Sequence, residues 1–350
     1  MLYVKRLLLV CLVFPTAAAL AAALAADAAS PRRSTQLAAL NSRAADLETD
    51  IQTLAKPGIG SHGSIGVAAW RIDGKGPRTL VNGQVPFPMA STFKVAVAAA
   101  VLKRVDDHEL DINRMIAIDS NRMVDSEVIA DRFIHPGVSL SVQNLLELML
   151  TQSDNTATDY MVEAAGGPAA VTAWVRGQGI SDLRIDGDTA AILRRFFGLG
   201  AGPFSDALAA QIAADPNLGM KGDKPNPEFD GDPRDSSTPE AMAQLLTRIF
   251  SGRALSKEST TVLTGMMSRC RTGAARLRGR MPPDSTVAHK TGTIGGTVND
   301  VGVVTLPRDG GQIVVAVFIK ASDAPEAARE GAIAEVGRSV RDYYLYANHP

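Results

Sequence analysis

The sequence is poor in the residues that build disulfide frameworks and metal sites. Its 350 residues include two cysteines, Cys11 and Cys270, and five histidines, none of which stands at the spacing of metal ligands. Lys and Arg total 36 and Asp and Glu total 37, so the net charge is −1, and no block of like charges interrupts the chain. Such a balance predicts neither nucleic acid nor an anionic membrane as a partner. We expect a fold held together by its hydrophobic core, with no metal and no other cofactor.

The N-terminus has the pattern of a targeting segment. Lys5 and Arg6 precede an apolar run over 7–26, and Ala23-Leu24-Ala25 offers a small-residue cleavage site. This order predicts that 1–26 is a removable signal peptide and that the protein is exported. The alternative is a membrane anchor, which the many alanines make weak. If Cys11 leaves with the signal, no internal disulfide can form in the mature chain.

Strand patterns lie near both ends of the chain and helical patterns between them. Strands are predicted at 64–72, 78–81, 301–304 and 312–320. Helices are predicted at 36–55, where Pro57 and Gly58 are expected to end the helix, and at 91–102, 142–151, 155–165, 239–250, 256–267 and 324–346.

This order favours an α+β fold of the α/β sandwich type. One antiparallel sheet built from N- and C-terminal segments would be flanked by helices, with an all-α lobe inserted between. We therefore expect a single catalytic domain over 27–350, with an α/β lobe at about 36–85 and 240–350 and a helical lobe at about 86–239. Residues 190–232 are rich in Gly, Pro and Asp and are predicted to be a long functional connection.

Three short motifs occur in a fixed order along the chain. They are Ser91-Thr92-Phe93-Lys94, Ser153-Asp154-Asn155 and Lys290-Thr291-Gly292. The first motif alone is weak evidence, because an S-x-x-K is expected roughly once by accident in a chain of this length. All three in this order, in a chain with an export signal, indicate a serine hydrolase.

The chemistry of the first motif follows from its spacing. A serine hydroxyl needs a base within hydrogen-bond reach to become a nucleophile, and residues three apart share one face of a helix. The segment 91–102 is apolar on all sides, which predicts a buried helix that lowers the pKa of Lys94. Ser91 is thus the predicted nucleophile and Lys94 its base. The alternative for Lys94 is a lysine that reaches out of an apolar helix to solvent.

These motifs resemble those of class A β-lactamases, and the resemblance covers roughly 36–189 and 232–347. Further landmarks are Gly166-Gly167-Pro168, Arg184-Ile185-Asp186, 231–235 and Thr272-Gly273 followed by Arg276. The resemblance implies a serine β-lactamase that hydrolyses the β-lactam amide through an acyl-enzyme on Ser91. It also implies a periplasmic or secreted bacterial protein, free of the membrane once the signal is removed. A monomer with a small-molecule β-lactam substrate is the default expectation.

The middle motif would act at the leaving group and the substrate side chain. By resemblance, Ser153 relays a proton to the β-lactam nitrogen, and Asn155 hydrogen-bonds the substrate's side-chain amide. Asp154 stands directly before a predicted helix, where its alternative role is to cap that helix.

The third motif and a downstream arginine would bind the other end of the substrate. By resemblance, Lys290, Thr291 and Arg276 meet the substrate carboxylate, and the Thr293 N–H is one of two oxyanion donors. Gly292 would let the ligand approach the strand backbone closely. Arg276 could instead be an ordinary surface arginine.

The resemblance breaks at the residue that activates water to release the acyl group. Class A enzymes use a glutamate in a loop below the site, and no alignment places one here. Counting forward from 184–186 reaches Thr189, and counting backward from 234–235 reaches Gly222. A third alignment matches 226–230 to the family segment and puts an asparagine there. An insertion of about thirty residues relative to the family pattern, at about 190–222, causes the ambiguity.

Two hypotheses about turnover remain. In the first, another carboxylate releases the acyl group, and the candidates are Asp223, Glu228, Asp230 and Asp188. In the second, release is slow, and the protein is a penicillin-binding D-Ala-D-Ala peptidase or a slowly deacylating β-lactam-binding protein. An esterase is a weaker third possibility.

Overall fold

The computed structural model describes residues 31–126 and 128–346, with the backbone alone for 31–41. The predicted signal peptide and Cys11 lie outside the described residues. The chain divides between Arg43 and Ala44 into two compact units, and all strands and helices after the first helix belong to the second. Within the described ranges, no helix is long and apolar enough to cross a bilayer.

The predicted antiparallel sheet is confirmed. Its five strands are β1 Ser64–Arg71, β2 Thr79–Val81, β7 Thr286–Ile294, β8 Thr297–Thr305 and β9 Gln312–Lys320. They stand in the order β2-β1-β9-β8-β7. N- and C-terminal segments meet where β1 pairs with β9, from Ser64 opposite Lys320 to Arg71 opposite Ile313.

Both faces of this sheet are covered, so its strands are buried almost throughout. Val67 and Ala69 of β1 point into a core shared with helices α1 (Pro31–Ile59) and α13 (Glu326–Tyr346). The alternate residues Ala68 and Trp70 point into the larger core that continues into the helical lobe. The period-two alternation of a strand thus assigns each residue to one of two cores.

The remaining elements lie between β2 and β7 along the chain. The helices are α2 Lys94–Asp106, α3 Ile129–Arg132, α4 Val142–Thr151, α5 Asn155–Ala164, α6 Pro168–Gly177, α7 Thr189–Phe197, α8 Phe204–Ala214, α9 Leu218–Lys221, α10 Pro227–Asp230, α11 Pro239–Phe250 and α12 Lys257–Ser268. The short strands are β3 Phe87–Pro88, β4 Met115–Ala117, β5 Ser139–Ser141 and β6 Ser236–Ser237, with 3₁₀ turns at Ala90–Phe93 and Ser120–Arg122.

Two predicted helix boundaries are wrong. The first helix does not stop at Pro57 but runs to Ile59, because a proline in the last turn removes only one hydrogen bond near an end that is already open. The Gly58 carbonyl at that end accepts a hydrogen bond from the Ser322 hydroxyl, at 2.8 Å. The helix predicted from Ser91 begins at Lys94, because the preceding residues form a 3₁₀ turn.

The segment 190–232, predicted to be a long connection, is folded into helices α7 to α10. Buried Phe196 packs edge-on against Phe229, with ring centroids 5.2 Å apart. The Gly295 N–H, at the β7–β8 turn, donates to the Gly222 carbonyl at 3.0 Å. Asp235 closes the base of the segment by accepting a hydrogen bond from Arg195. Aromatic packing and these few ties hold an insertion that periodicity alone did not resolve.

Candidate functional site

Most of the residues predicted for acylation and substrate binding line one cavity of about 640 Å³. Lys94 and Lys290 are buried and bond to Ser153, which lines it. The helical lobe supplies one wall, and β7 with the start of α13 supplies the other. The residues lining it, in the described part of the chain, are Ser91, Asp125, Ser126, Asp131, Gln152, Ser153, Asn155, Arg271, Thr272, Gly273, Arg276, Thr291, Gly292, Thr293, Glu326 and Glu330.

Ser91 stands in the 3₁₀ turn before α2, directly against β7. A Cβ at Gly292 would lie 2.6 Å from the Met89 carbonyl oxygen and 3.0 Å from the Ser91 nitrogen. Only a residue without a side chain therefore lets this strand approach the serine turn so closely. Ala90, the residue before the serine, has a φ of 44°, a left-handed conformation that is uncommon outside glycine.

Lys94 lies fully buried one turn after the serine. Its Nζ donates to the Ser153 carbonyl at 2.8 Å, to the Ser153 hydroxyl at 3.3 Å and to Asn155 Oδ1 at 2.9 Å. Burial, followed by the nearby charge of Lys290, holds the pKa of Lys94 well below its usual value. In the described part of the chain this amine makes no direct hydrogen bond to Ser91. Its hydrogen bonds go instead to Ser153 and Asn155 of the middle motif.

Ser153 stands between two buried lysines. Lys290 Nζ donates to the Ser153 hydroxyl at 3.0 Å and to the Thr291 carbonyl at 2.9 Å. Burial lowers the pKa of Lys290 to about 8. Ser153 adopts a left-handed φ of 61°, which is strained for a residue with a side chain and is typical of functional sites. The arrangement places one hydroxyl within proton-transfer distance of two amines.

Asp154 caps helix α5, which is the alternative role that the sequence analysis gave it. Its carboxylate accepts the Ala157 N–H at 2.8 Å as the N-cap of α5. The other oxygen accepts the Ile129 N–H at 2.9 Å. Asn155 is held from its other end, because its Nδ2 donates to the Asp125 carbonyl at 2.7 Å. These bonds fix the loop that presents Ser153 and Asn155.

Arg276 is buried in the cavity wall rather than exposed on the surface. Its Nε donates to Glu330 at 2.9 Å, and its Nη1 donates to the carbonyls of Gly292 and Asn299 at 3.2 and 3.0 Å. Its Nη2 donates to the Thr293 hydroxyl at 2.7 Å. The guanidinium therefore orients the β7 residues that line the cavity, while Glu330 offsets its charge.

The four candidates for the releasing base lie elsewhere. None of them is among the described residues that line the cavity. Asp223 and Glu228 are exposed, and Asp188 caps α7 by accepting the Ala191 N–H at 2.8 Å. Asp230 is buried, which raises its pKa, and its charge interacts with Lys320. Their proposed role stays a prediction.

Sequence reasoning missed an acid with a strongly shifted pKa near the lysine pair. Asp159 follows Asn155 by one turn of α5 and accepts the N–H groups of Thr189 and Ala190 at 2.7 and 3.1 Å. Burial of the carboxylate, followed by the charge of Asp188, raises its pKa to about 7. The i, i+4 spacing from Asn155 was a usable signal.

A second missed group lies behind β7. Both carboxylate oxygens of Asp300 are within 2.9 Å of His289 Nδ1, and all three of Cys270, His289 and Asp300 are buried. Burial opposes protonation of His289, but the Asp300 carboxylate raises the imidazole pKa to about 9. The Cys270 sulfur lies 3.3 Å from the Thr272 hydroxyl, so this buried group reaches the cavity wall.

Comparison with known proteins agrees with this geometry. The family described as "Beta-lactamase enzyme family" matches residues 46–344. The extended-spectrum β-lactamase PER-1 of Pseudomonas aeruginosa is 30% identical over 295 residues, covering 82% of this chain and 84% of the relative. β-Lactamase SME-1 of Serratia marcescens is 28% identical over 306 residues, covering 87% and 91%. The chain belongs to the β-lactamase family.

Solved structures of the family have the same fold. An ancestral class A β-lactamase aligns with a TM-score of 0.69 and 36% identity, covering 85% of this chain and 99% of that one. A β-lactamase from Chitinophaga pinensis aligns with a TM-score of 0.68 and 29% identity, covering 85% and 98%. The class A resemblance predicted from the three motifs is therefore confirmed for this β-lactamase family member.

Proposed function

We propose that this protein is a serine β-lactamase that opens the β-lactam ring through an acyl-enzyme on Ser91. The observation that carries the proposal is the cavity in which Ser91, Ser153 and the Thr291–Thr293 strand meet. The alternatives, a D-Ala-D-Ala peptidase or a slowly deacylating binding protein, share the acylation step and differ in the fate of the acyl group.

Acylation gives the two buried lysines different roles. Lys94, whose pKa is held well below its usual value, accepts the proton of the Ser91 hydroxyl as the serine oxygen bonds to the lactam carbonyl carbon. The backbone N–H groups of Ser91 and Thr293 receive the developing oxyanion. As the ring C–N bond breaks, Ser153 gives its proton to the nitrogen and takes up the proton that Lys94 received from Ser91, across the 3.3 Å between the Lys94 amine and the Ser153 hydroxyl. The Lys290 ammonium, 3.0 Å from the same hydroxyl, stabilises the Ser153 oxygen between the two transfers.

Release of the acyl group requires a proton acceptor for water. We favour Asp188 among the four candidates, because its charge acts on Asp159, and the charge of Asp159 in turn acts on Lys94. The other three have no such link to the lysine pair. Water would then add to the acyl carbonyl carbon and lose a proton to the carboxylate. As the carbonyl re-forms, the Ser91 oxygen leaves and takes up that proton, which regenerates the carboxylate.

We also propose that the mature protein is periplasmic or secreted after loss of 1–26, and that it acts as a monomer. The catalytic domain would comprise 27–350, with an α/β lobe at about 36–85 and 240–350 and a helical lobe at about 86–239. The apolar N-terminal run with its preceding basic residues supports export.

Nitrocefin turnover combined with intact-protein mass spectrometry tests the proposal. The wild type should hydrolyse nitrocefin over many cycles and show a transient increase in the mass of the intact protein. Ser91→Ala should lose turnover and labelling together, whereas Ser126→Ala, a serine that lines the same cavity, should retain both. A stable adduct without turnover, or cleavage of acyl-D-Ala-D-Ala, would favour an alternative. Asp188→Asn should accumulate the adduct if Asp188 releases it.

A further inference from the structure

The cavity carries more acidic than basic charge. Four carboxylates line it in the described part of the chain, and two guanidiniums face them. Lys290 and Lys94 are not among the described side chains that line the cavity; both are buried, and burial lowers the pKa of each. Among the lining side chains, two negative charges are therefore left in surplus. This is unexpected for a site whose substrates carry a carboxylate, because like charges in a cleft repel.

The unbalanced negative charge lies on the cavity wall that the helical lobe supplies. Asp125 and Asp131 are both exposed, and in the described ranges neither has an ion-pair partner. Asp125 is adjacent to Asn155, because its carbonyl accepts the Asn155 amide N–H at 2.7 Å. Under the proposed function, Asn155 holds the amide of the substrate's acyl side chain. A group carried on that side chain would therefore lie toward Asp125, and Asp131 lines the same cavity.

The opposite wall is arranged differently. Glu330 and Glu326 approach Arg276 at 2.9 and 3.5 Å, so their charges are partly offset by the guanidinium. Arg271, by contrast, is exposed at the cavity and has no acidic partner among the described residues. It follows that a free positive charge and two free negative charges face the same cavity.

We propose that this site selects β-lactams whose acyl side chain carries a cationic group, such as a primary ammonium. The ammonium would bind at Asp125 and Asp131, while the ring carboxylate binds at Arg271, Lys290 and the Thr291–Thr293 strand. A side chain with its own carboxylate would be disfavoured, because it would stand against the two aspartates. This inference rests on the proposed β-lactamase function and adds the class of substrate.

Three penicillins that share a nucleus and a phenylacetyl-type side chain provide the test. Ampicillin carries an α-ammonium group, benzylpenicillin no α-charge and carbenicillin an α-carboxylate. We expect kcat/KM to fall in that order at low ionic strength, by about fivefold for each unit of charge, which corresponds to partly screened charges several ångströms apart. Adding about 0.5 M salt should compress the series, since exposed charges are screened within about a Debye length.

Variants separate the aspartates from the rest of the protein. The double substitution Asp125→Asn, Asp131→Asn should bring the three kcat/KM values together, whereas Asp46→Asn, an exposed position on α1, should leave the series unchanged. Equal rates for the three penicillins in the wild type, or a series that survives the double substitution, would overturn the proposal. If none of the three is hydrolysed, the proposed β-lactamase function fails instead. The two failures are therefore distinguishable.

Discussion

The carboxylate of Asp159 makes the stability of the fold depend on pH in a defined direction. Its pKa of about 7 replaces an ordinary value of 3.8, because burial and the neighbouring Asp188 disfavour the charged form. Between these two values the unfolded chain releases the proton while the folded protein keeps it. The contribution of this group to folding stability is therefore highest below about pH 4, falls as the pH rises, and levels off above about pH 7.

Asp159→Asn isolates this contribution. A pKa change from 3.8 to about 7 corresponds to at most about 4 kcal/mol of unfolding free energy. Asparagine keeps only one acceptor oxygen, whereas Asp159 accepts two N–H groups, and the lost bond should cost about 1 kcal/mol at every pH. We expect the variant to be about 1 kcal/mol less stable than wild type near pH 4 and up to about 3 kcal/mol more stable at about pH 8.

Urea unfolding at half-unit intervals from about pH 4 to pH 8.5, followed by tryptophan fluorescence, measures this difference. Subtracting the two profiles cancels every other titrating group that the substitution leaves unchanged. Asp206→Asn, at an exposed position on α8, is the matched control and should show a flat difference. A flat difference for Asp159→Asn as well would refute the inference that this carboxyl is held protonated by the fold.

Three further outcomes are expected at the site. Gly292→Ala should lower kcat by about 100-fold, because its Cβ would meet the Met89 carbonyl oxygen at 2.6 Å; steady-state kinetics with nitrocefin measures this. His289→Asn should destabilise the protein by about 3 kcal/mol at about pH 7, since it leaves Asp300 buried without its charged partner. The difference in unfolding free energy between wild type and variant should disappear as the pH rises through about 9, where His289 loses its proton. Chemical denaturation measures this difference. Burial opposes ionisation of Cys270, but its interaction with His289 lowers the thiol pKa to about 7. The ultraviolet absorbance of the thiolate should therefore titrate near neutral pH, and the midpoint of that titration should move to higher pH in His289→Asn.

Most of the fold could be predicted from the sequence because its elements carry local signals. Helix α5 begins one residue after Asp154 and α11 one residue after Thr238, and each of these N-caps accepts the N–H three residues later. The strands alternate between two cores, which produces long apolar runs such as 312–320. Pro57 misled because the effect of a proline depends on how close the helix end already is. The start at Ser91 was also wrong, because the serine stands in a 3₁₀ turn, and periodicity alone did not resolve the helices of 190–232.

The site could be predicted in its residues but not in its bonding. The order of the motifs predicted that Ser91, Ser153 and Lys290 share one site. The spacing of Ser91 and Lys94 also suggested a direct contact between those two side chains. In the structure the Lys94 amine instead bonds the middle motif. Which acceptor a buried amine chooses depends on the neighbouring loop, and that loop is placed by tertiary contacts such as the Asp154 bond to the Ile129 N–H.

Charges on the cavity walls could not be predicted for a related reason. Glu326 and Glu330 are 50 and 54 residues away from Arg276 in sequence, and no motif links the first turn of a C-terminal helix to an arginine before β7. Arg271 carries no signal of its own either. Whether an arginine at the cavity forms such an ion pair depends on how the sheet and its flanking helix pack.

The two halves of the proposed reaction rest on different kinds of structure, which explains why sequence predicts one and not the other. The acylating groups stand on a 3₁₀ turn against β7, at the N-terminus of α5 and in the middle of β7, all elements whose positions are fixed by the core. A catalytic group must be held to within about half an ångström, so such groups belong on rigid elements with recognisable patterns. The candidates for release instead lie on or beside the helices of 189–230. This segment is joined to the sheet by the hydrogen bond from the Gly295 N–H to the Gly222 carbonyl and by the interaction of the Asp230 charge with Lys320. If Asp188 releases the acyl group, its rate should depend on how firmly that segment is held, whereas the rate of acylation should not.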